Sequence, residues 1–183
     1  MRILKKKVQG KKKGNSFERK VANLLSSRFE EFLGVKTGFM RNPSSGSYFG
    51  GSNQSRILTH SLDFAVFGDL ICPRNFKFSI ECKHYKSPPS WQGFLDQNIA
   101  QWDDWLSQAT QDAKNSSKSM ALIVKYNNVS EIVFLDHTLE KTETISNQKL
   151  DIPPVFTYKG YVAYKLETFL SLENSFYFIM EKL

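Results

Sequence analysis

Cysteine, histidine and proline are scarce in this chain. Cys72 and Cys82 are its only cysteines, too few for a disulfide framework, and they read as packing residues. His60, His84 and His137 are scattered without the spacing of a zinc site, so a soft-ligand metal centre is not expected. Long apolar runs are also missing. No stretch approaches the ~20 residues of a membrane-spanning helix, and the lysine-rich start lacks the apolar core of a secretory leader. A soluble, cytoplasmic protein without membrane attachment is the expectation.

Acids are absent from residues 1–14, which carry Arg2, Lys5, Lys6, Lys7, Lys11, Lys12 and Lys13. These seven account for the whole formal charge of +7, leaving a neutral body. A basic, flexible arm ahead of one globular domain over 15–183 follows, and a polyanion such as nucleic acid is the simplest partner for it. At 183 residues and 40% hydrophobic content, the chain suits one substantial core.

The run "GNSFERKVANLLSSRFEEFL" predicts a helix from about Asn15. Residues 40–56, rich in glycine and serine, read as a loop. "LDFAVFGDLI" and "FKFSIECKHY" predict two strands with "CPRN" between them. After "SPPS", the residues Leu95, Ile99, Trp102, Leu106, Ala109 and Ala113 form a stripe at helical spacing, with Trp102 and Trp105 as packing residues. "MALIVKY" and "EIVFLD" flank Asn127 and Asn128 as a hairpin, and "GYVAYKL" predicts a later strand. This order fits an α/β fold with a mixed sheet flanked by helices.

Charged residues inside the strands are the chemical signal. In "FKFSIECKHY", Phe76, Phe78, Ile80 and Cys82 alternate with Lys77, Ser79, Glu81 and Lys83, so Glu81 and Lys83 share one strand face. The pair is either a solvated surface or a metal-holding carboxylate beside an ammonium. Similar acid-x-Lys triplets occur at Glu18 and Asp112, so the triplet alone decides nothing. Asp69, twelve residues before Glu81 at a strand end, offers a second carboxylate, and two carboxylates suit Mg²⁺. Asp63, with the same strand parity, is its rival. On the first helix Glu18 falls in the apolar sector formed by Phe17, Val21, Ala22, Leu24, Leu25, Phe29 and Phe32. It either joins the acidic site or completes a capping box with Asn15.

In order, "GNSFERKVANLL", "RNPSSGS", "GDLI", "FSIECKHY", "WLSQA" and "MALIVKY" resemble the PD-(D/E)XK nuclease superfamily. Within it, they are most similar to archaeal-type and phage Holliday junction resolvases, over roughly residues 14–127. Gly68 stands where proline is common, and the segment between Arg41 and Asp69 is long. The resemblance implies a restriction-endonuclease-like core over 15–127, with 128–183 as a C-terminal extension. It implies a Mg²⁺-dependent DNA endonuclease, with Mn²⁺ as substitute, leaving 5′-phosphate and 3′-hydroxyl ends. Asp69 and Glu81 would hold the metal, Lys83 would position the attacking water, and Glu18 would complete the site. Arg41, Ser44, Ser45 and Ser47 would approach the DNA backbone, joined by Lys11, Lys12 and Lys13 of the arm. Gln108 or Gln101 would support the site. A four-way junction as substrate and a homodimer are also implied. Other DNA substrates for the same fold, or a DNA-binding module without catalysis, are the alternatives.

Overall fold

The computed structural model describes residues 2–43, 64–136 and 152–180. Helix α1 (Arg2–Leu33) begins thirteen residues before the expected start at Asn15. The basic segment expected as a flexible arm is thus continuous with the helix. Lysine is a good helix former and no proline interrupts the run, while Gly10 and Gly14 each cost only about 1 kcal/mol relative to alanine. Phe17, Val21, Leu25 and Phe29, spaced one turn apart, are buried with Ala22, whereas Leu24 and Phe32 lie exposed at the rim of the expected sector.

Strand β1 (Met40–Arg41) follows. The Ser26 hydroxyl on α1 exchanges hydrogen bonds with the Phe39 carbonyl and amide, at 3.1 and 3.0 Å, and so ties β1 to the helix. The single strand expected over 62–71 is a hairpin instead. Strands β2 (Phe64–Phe67) and β3 (Leu70–Pro73) pair antiparallel, Phe67 opposite Leu70, and β1 flanks β3. The turn is Gly68-Asp69, where Gly68 has φ +63°, a conformation that favours glycine and excludes proline. An added Cβ there would lie 2.4 Å from the Ile80 carbonyl oxygen. This explains the glycine before the acid.

The main sheet has five strands: β4 (Phe78–Tyr85), β5 (Ser119–Tyr126), β6 (Ile132–Asp136), β7 (Phe156–Tyr158) and β8 (Tyr161–Lys165). Their order is β4-β5-β6-β8-β7; β4 and β5 are parallel and the other pairs antiparallel. The parallel pair is connected through a short helix α2 (Trp91–Leu95) and a long helix α3 (Ala100–Asn115). The expected second helix is therefore interrupted: Gln97, at φ 50°, turns the chain, and Leu95 is exposed. The α3 stripe Trp102, Leu106, Ala109 and Ala113 packs with Trp105 against Met120, Leu122 and Val124. On the opposite face α1 packs against Ile80, Cys82, Ala121 and Ile123.

The described residues of the C-terminal segment, 128–136 and 152–180, complete this sheet and core. Helices α4 (Leu166–Leu170) and α5 (Asn174–Tyr177) bring Phe169, Phe176, Tyr177 and Phe178 into the α1 side of the core. Arg28 locks them in place by donating to the Leu170 and Leu172 carbonyls at 2.7 and 2.8 Å and to Asn174 Oδ1 at 3.1 Å. Both cysteines are buried and free, as packing residues should be. No helix among the described residues is long and apolar enough to cross a membrane.

Candidate active site

The site grows from the place where the hairpin meets β4. Gly68 bridges to Ile80, and the Asp69 amide donates to the Ile80 carbonyl at 2.9 Å. Asp69 Oδ2 in turn accepts from the Cys82 amide at 2.9 Å. The turn thus places the Asp69 carboxylate beside the strand residue that follows Glu81. Asn42, just after β1, holds the turn from the other side: its Nδ2 donates to the Gly68 carbonyl at 3.0 Å and its amide to the Asp69 carbonyl at 2.8 Å.

Glu81 and Lys83 share a face, as period two requires, but that face is covered by α3 rather than solvated. Ser79 and Glu81 are each 3% exposed. Lys83 Nζ donates to Glu81 Oε1 at 2.6 Å and to Gln108 Oε1 on α3 at 3.1 Å. Burial, helped by repulsion from Asp69 and opposed by Lys83, pushes the Glu81 carboxyl up to about 7. Burial pulls the Lys83 ammonium down, but Glu81 and Asp69 outweigh it and the net direction is up. Lys83 therefore stays cationic at neutral pH. Asp69 and Glu81 are two buried carboxylates that repel one another beside a fixed ammonium, and together they form a hard oxygen donor set. That fits a hard divalent ion bound by one or two carboxylates with waters and phosphate oxygens completing its shell.

Glu18 is buried on α1, but its partner is Arg41, whose Nε donates to Glu18 Oε2 at 2.5 Å. Asn15 lies inside the helix and accepts from Arg41 Nη2 at 3.1 Å, so the capping box does not form. Of the two supporting glutamines, Gln108 reaches Lys83, while Gln101 sits seven residues nearer the start of α3, about 10 Å along its axis. Lys12 is exposed on α1, and Lys13 donates to Asn127 Oδ1 at 2.8 Å. Asp63, Ser44, Ser45 and Ser47 lie outside the described residues, as does the side chain of Lys11.

Two further residues have a part in the site: Asn42, which the sequence reading does not assign to it, and Asp112, which the sequence offers only as the start of another acid-x-Lys triplet. Asn42 lay inside the "RNPSSGS" stretch, where only Arg41 and the serines drew attention. Asp112, one turn beyond Gln108 on α3, is raised by burial and drawn down by Lys83, and it adds to the repulsion on Glu81. Its four-residue spacing from Gln108 was the available signal.

The family model of phage PDDEXK endonucleases matches residues 9–178. The chain belongs to the phage PDDEXK endonuclease family. Its activity is therefore that of a nuclease, on an α/β fold whose mixed sheet is flanked by helices. This PDDEXK endonuclease is also similar to a solved structure of Archaeoglobus fulgidus Hjc, a Holliday junction resolvase from an archaeal hyperthermophile. That match has 13% identity over 85% of this chain and 90% of that one, with a TM-score of 0.35. No curated protein matches the chain.

Proposed function

We propose that the chain is a divalent-metal-dependent DNA endonuclease, with branched DNA such as a four-way junction as its preferred substrate. The observation that carries the nuclease chemistry is the buried convergence of Asp69 and Glu81 beside an ammonium that two side chains hold in place. The preference for branched DNA, and a homodimer to cut two strands, are what the resemblance of the sequence motifs to Holliday junction resolvases implies.

Asp69 and Glu81 would hold Mg²⁺ or Mn²⁺. When bound, the ion supplies positive charge to the phosphate and its leaving oxygen and makes water more acidic. The protein's own contributions are positional. Lys83, fixed between Glu81 and Gln108 and kept protonated, cannot accept a proton; it orients the attacking water by donation and offsets charge that develops on the phosphoryl oxygens. Covering by α3 lowers the local dielectric and strengthens those interactions. Arg41 bonds to Glu18 and Asn15, so its role is first to hold that carboxylate, and DNA would have to share it.

The test is cleavage of a labelled four-way junction beside matched duplex, single strand and flap. Paired symmetric nicks confined to the junction support the reading. Equal cutting of every substrate removes the branched preference; tight binding without cutting under Mg²⁺ or Mn²⁺ removes the enzyme.

A further inference from the structure

Next to the candidate active site lies a second cluster that its chemistry does not use. His84 follows Lys83 on β4 and points to the other face of the sheet, where its ring packs on Phe17 with centroids 5.3 Å apart. Phe17 in turn precedes Glu18. The cluster is thus one residue away from the site on both of the elements that build it.

His84 Nε2 lies 3.3 Å from Asn127 Oδ1, and Lys13 Nζ donates to the same oxygen at 2.8 Å. Two donors, one of them a full cation, converge on one neutral acceptor. No carboxylate among the described residues pairs with Lys13. The acid of this corner, Glu131, is already committed: Lys20 bonds it at 2.7 Å and Lys125 at 3.2 Å. Burial alone would raise Glu131, yet its hydrogen bonds from Lys20 and Lys125 bring it down to about 2. Among the described residues the corner therefore holds Lys13, Lys20 and Lys125 against one carboxylate. His84 feels the surplus: burial lowers it first, Lys13 and Lys125 lower it further, and Asn127 and Glu131 oppose them. A positive pocket whose donors share a single neutral oxygen is suited to an anionic acceptor, which makes stronger hydrogen bonds than an amide.

We propose that Lys13, His84 and Asn127 form a phosphodiester site, which takes a backbone phosphate of the substrate next to the one being cut. This rests on the nuclease reading for its substrate. Phosphate oxygens replace Asn127 Oδ1 as the shared acceptor, and the Asn127 amide turns to present Nδ2. Through this site the basic end of α1 registers the strand relative to Lys83 without reading bases.

The test compares wild type with Lys13→Gln, Asn127→Asp and His84→Gln. Equilibrium binding of a duplex is measured in EDTA across a salt series, and steady-state cleavage is measured with Mg²⁺; melting curves check that each variant is folded. Loss of one phosphate contact lowers the slope of log K against log salt by about 1. Lys13→Gln and Asn127→Asp are expected to show that loss, His84→Gln to weaken binding at an unchanged slope, and all three to raise KM more than they lower kcat. Unchanged slope in Lys13→Gln and Asn127→Asp and unchanged binding in His84→Gln, with cleavage intact, overturn this site and leave the nuclease reading standing. A slope that depends on Lys13 and Asn127 in a wild type that cuts nothing keeps the site and overturns the nuclease reading.

Discussion

Replacing Gly68 with alanine should damage stability and catalysis together, because one turn carries both. Gly68 has φ +63°, and an alanine held there costs about 1–2 kcal/mol of backbone strain. The added Cβ would also lie 2.4 Å from the Ile80 carbonyl oxygen and 3.1 Å from its carbon, so backbone must move by about 1 Å to reach ordinary contact. That movement sacrifices the 2.9 Å bond from the Asp69 amide to Ile80, worth about 0.5–1.5 kcal/mol. The sum is about 1.5–3.5 kcal/mol. Gly160 supplies the control, since its φ is +83° but nothing lies within 4 Å of its Cβ position. Gly160→Ala should lose the backbone strain alone. Urea denaturation of both variants separates conformation from contact, and the cleavage rate reports the Asp69 carboxylate, where a misplacement of about 1 Å can cost ~100-fold. If Gly68→Ala is no less stable than Gly160→Ala and cuts DNA at the wild-type rate, the turn does not carry the role given to it here.

Other consequences are open to direct measurement. Without metal, the protein should lose stability as pH rises from about 4.5 to about 7, because Glu81 is held protonated in the fold and ionises at its ordinary value when unfolded. The gap between 4.5 and about 7 corresponds to at most about 3 kcal/mol, and Glu81→Gln should flatten that part of a urea-midpoint profile taken with chelator. Arg28→Ala removes three hydrogen bonds that hold α4 and α5 to α1 and should cost about 2–4 kcal/mol in thermal or chemical denaturation, with Arg28→Lys recovering little. Asn42→Ala frees the Gly68 carbonyl and should cost about 1–2 kcal/mol while slowing cleavage roughly tenfold, as single-turnover rates would show.

The strand pattern made much of the site legible. Period two put Glu81 and Lys83 on one face, and the acid twelve residues earlier pointed to Asp69, which the structure brings to the Cys82 amide. What escaped depended on partners distant in sequence. The run "LDFAVFGDLI" reads as one strand because its hydrophobic residues continue through Gly68, and only the approach to Ile80 shows why the chain turns there. Asn15 and Glu18 have capping spacing, but helix continues through them and Arg41, more than twenty residues later, takes both side chains. The polar face of β4 left a solvated surface and a metal site as alternatives, because alternation cannot show that α3 lies over it. Asp112 was visible as a charge on a helix, yet its relation to Lys83 required the packing of α3 on β4. The late strands were expected only in part, and their place beside β5 is set by nonlocal pairing.

The central claim is that Asp69, Glu81 and Lys83 perform metal-dependent DNA cleavage. The most direct measurement is single-turnover cutting of plasmid or junction DNA with Mg²⁺ or Mn²⁺ by wild type, Asp69→Asn, Glu81→Gln and Lys83→Ala, each shown to be folded. Wild type should cut only with metal, and each variant should lose at least ~100-fold in rate. Wild-type rates in folded Glu81→Gln or Lys83→Ala, or undiminished cutting in chelator, would contradict the claim.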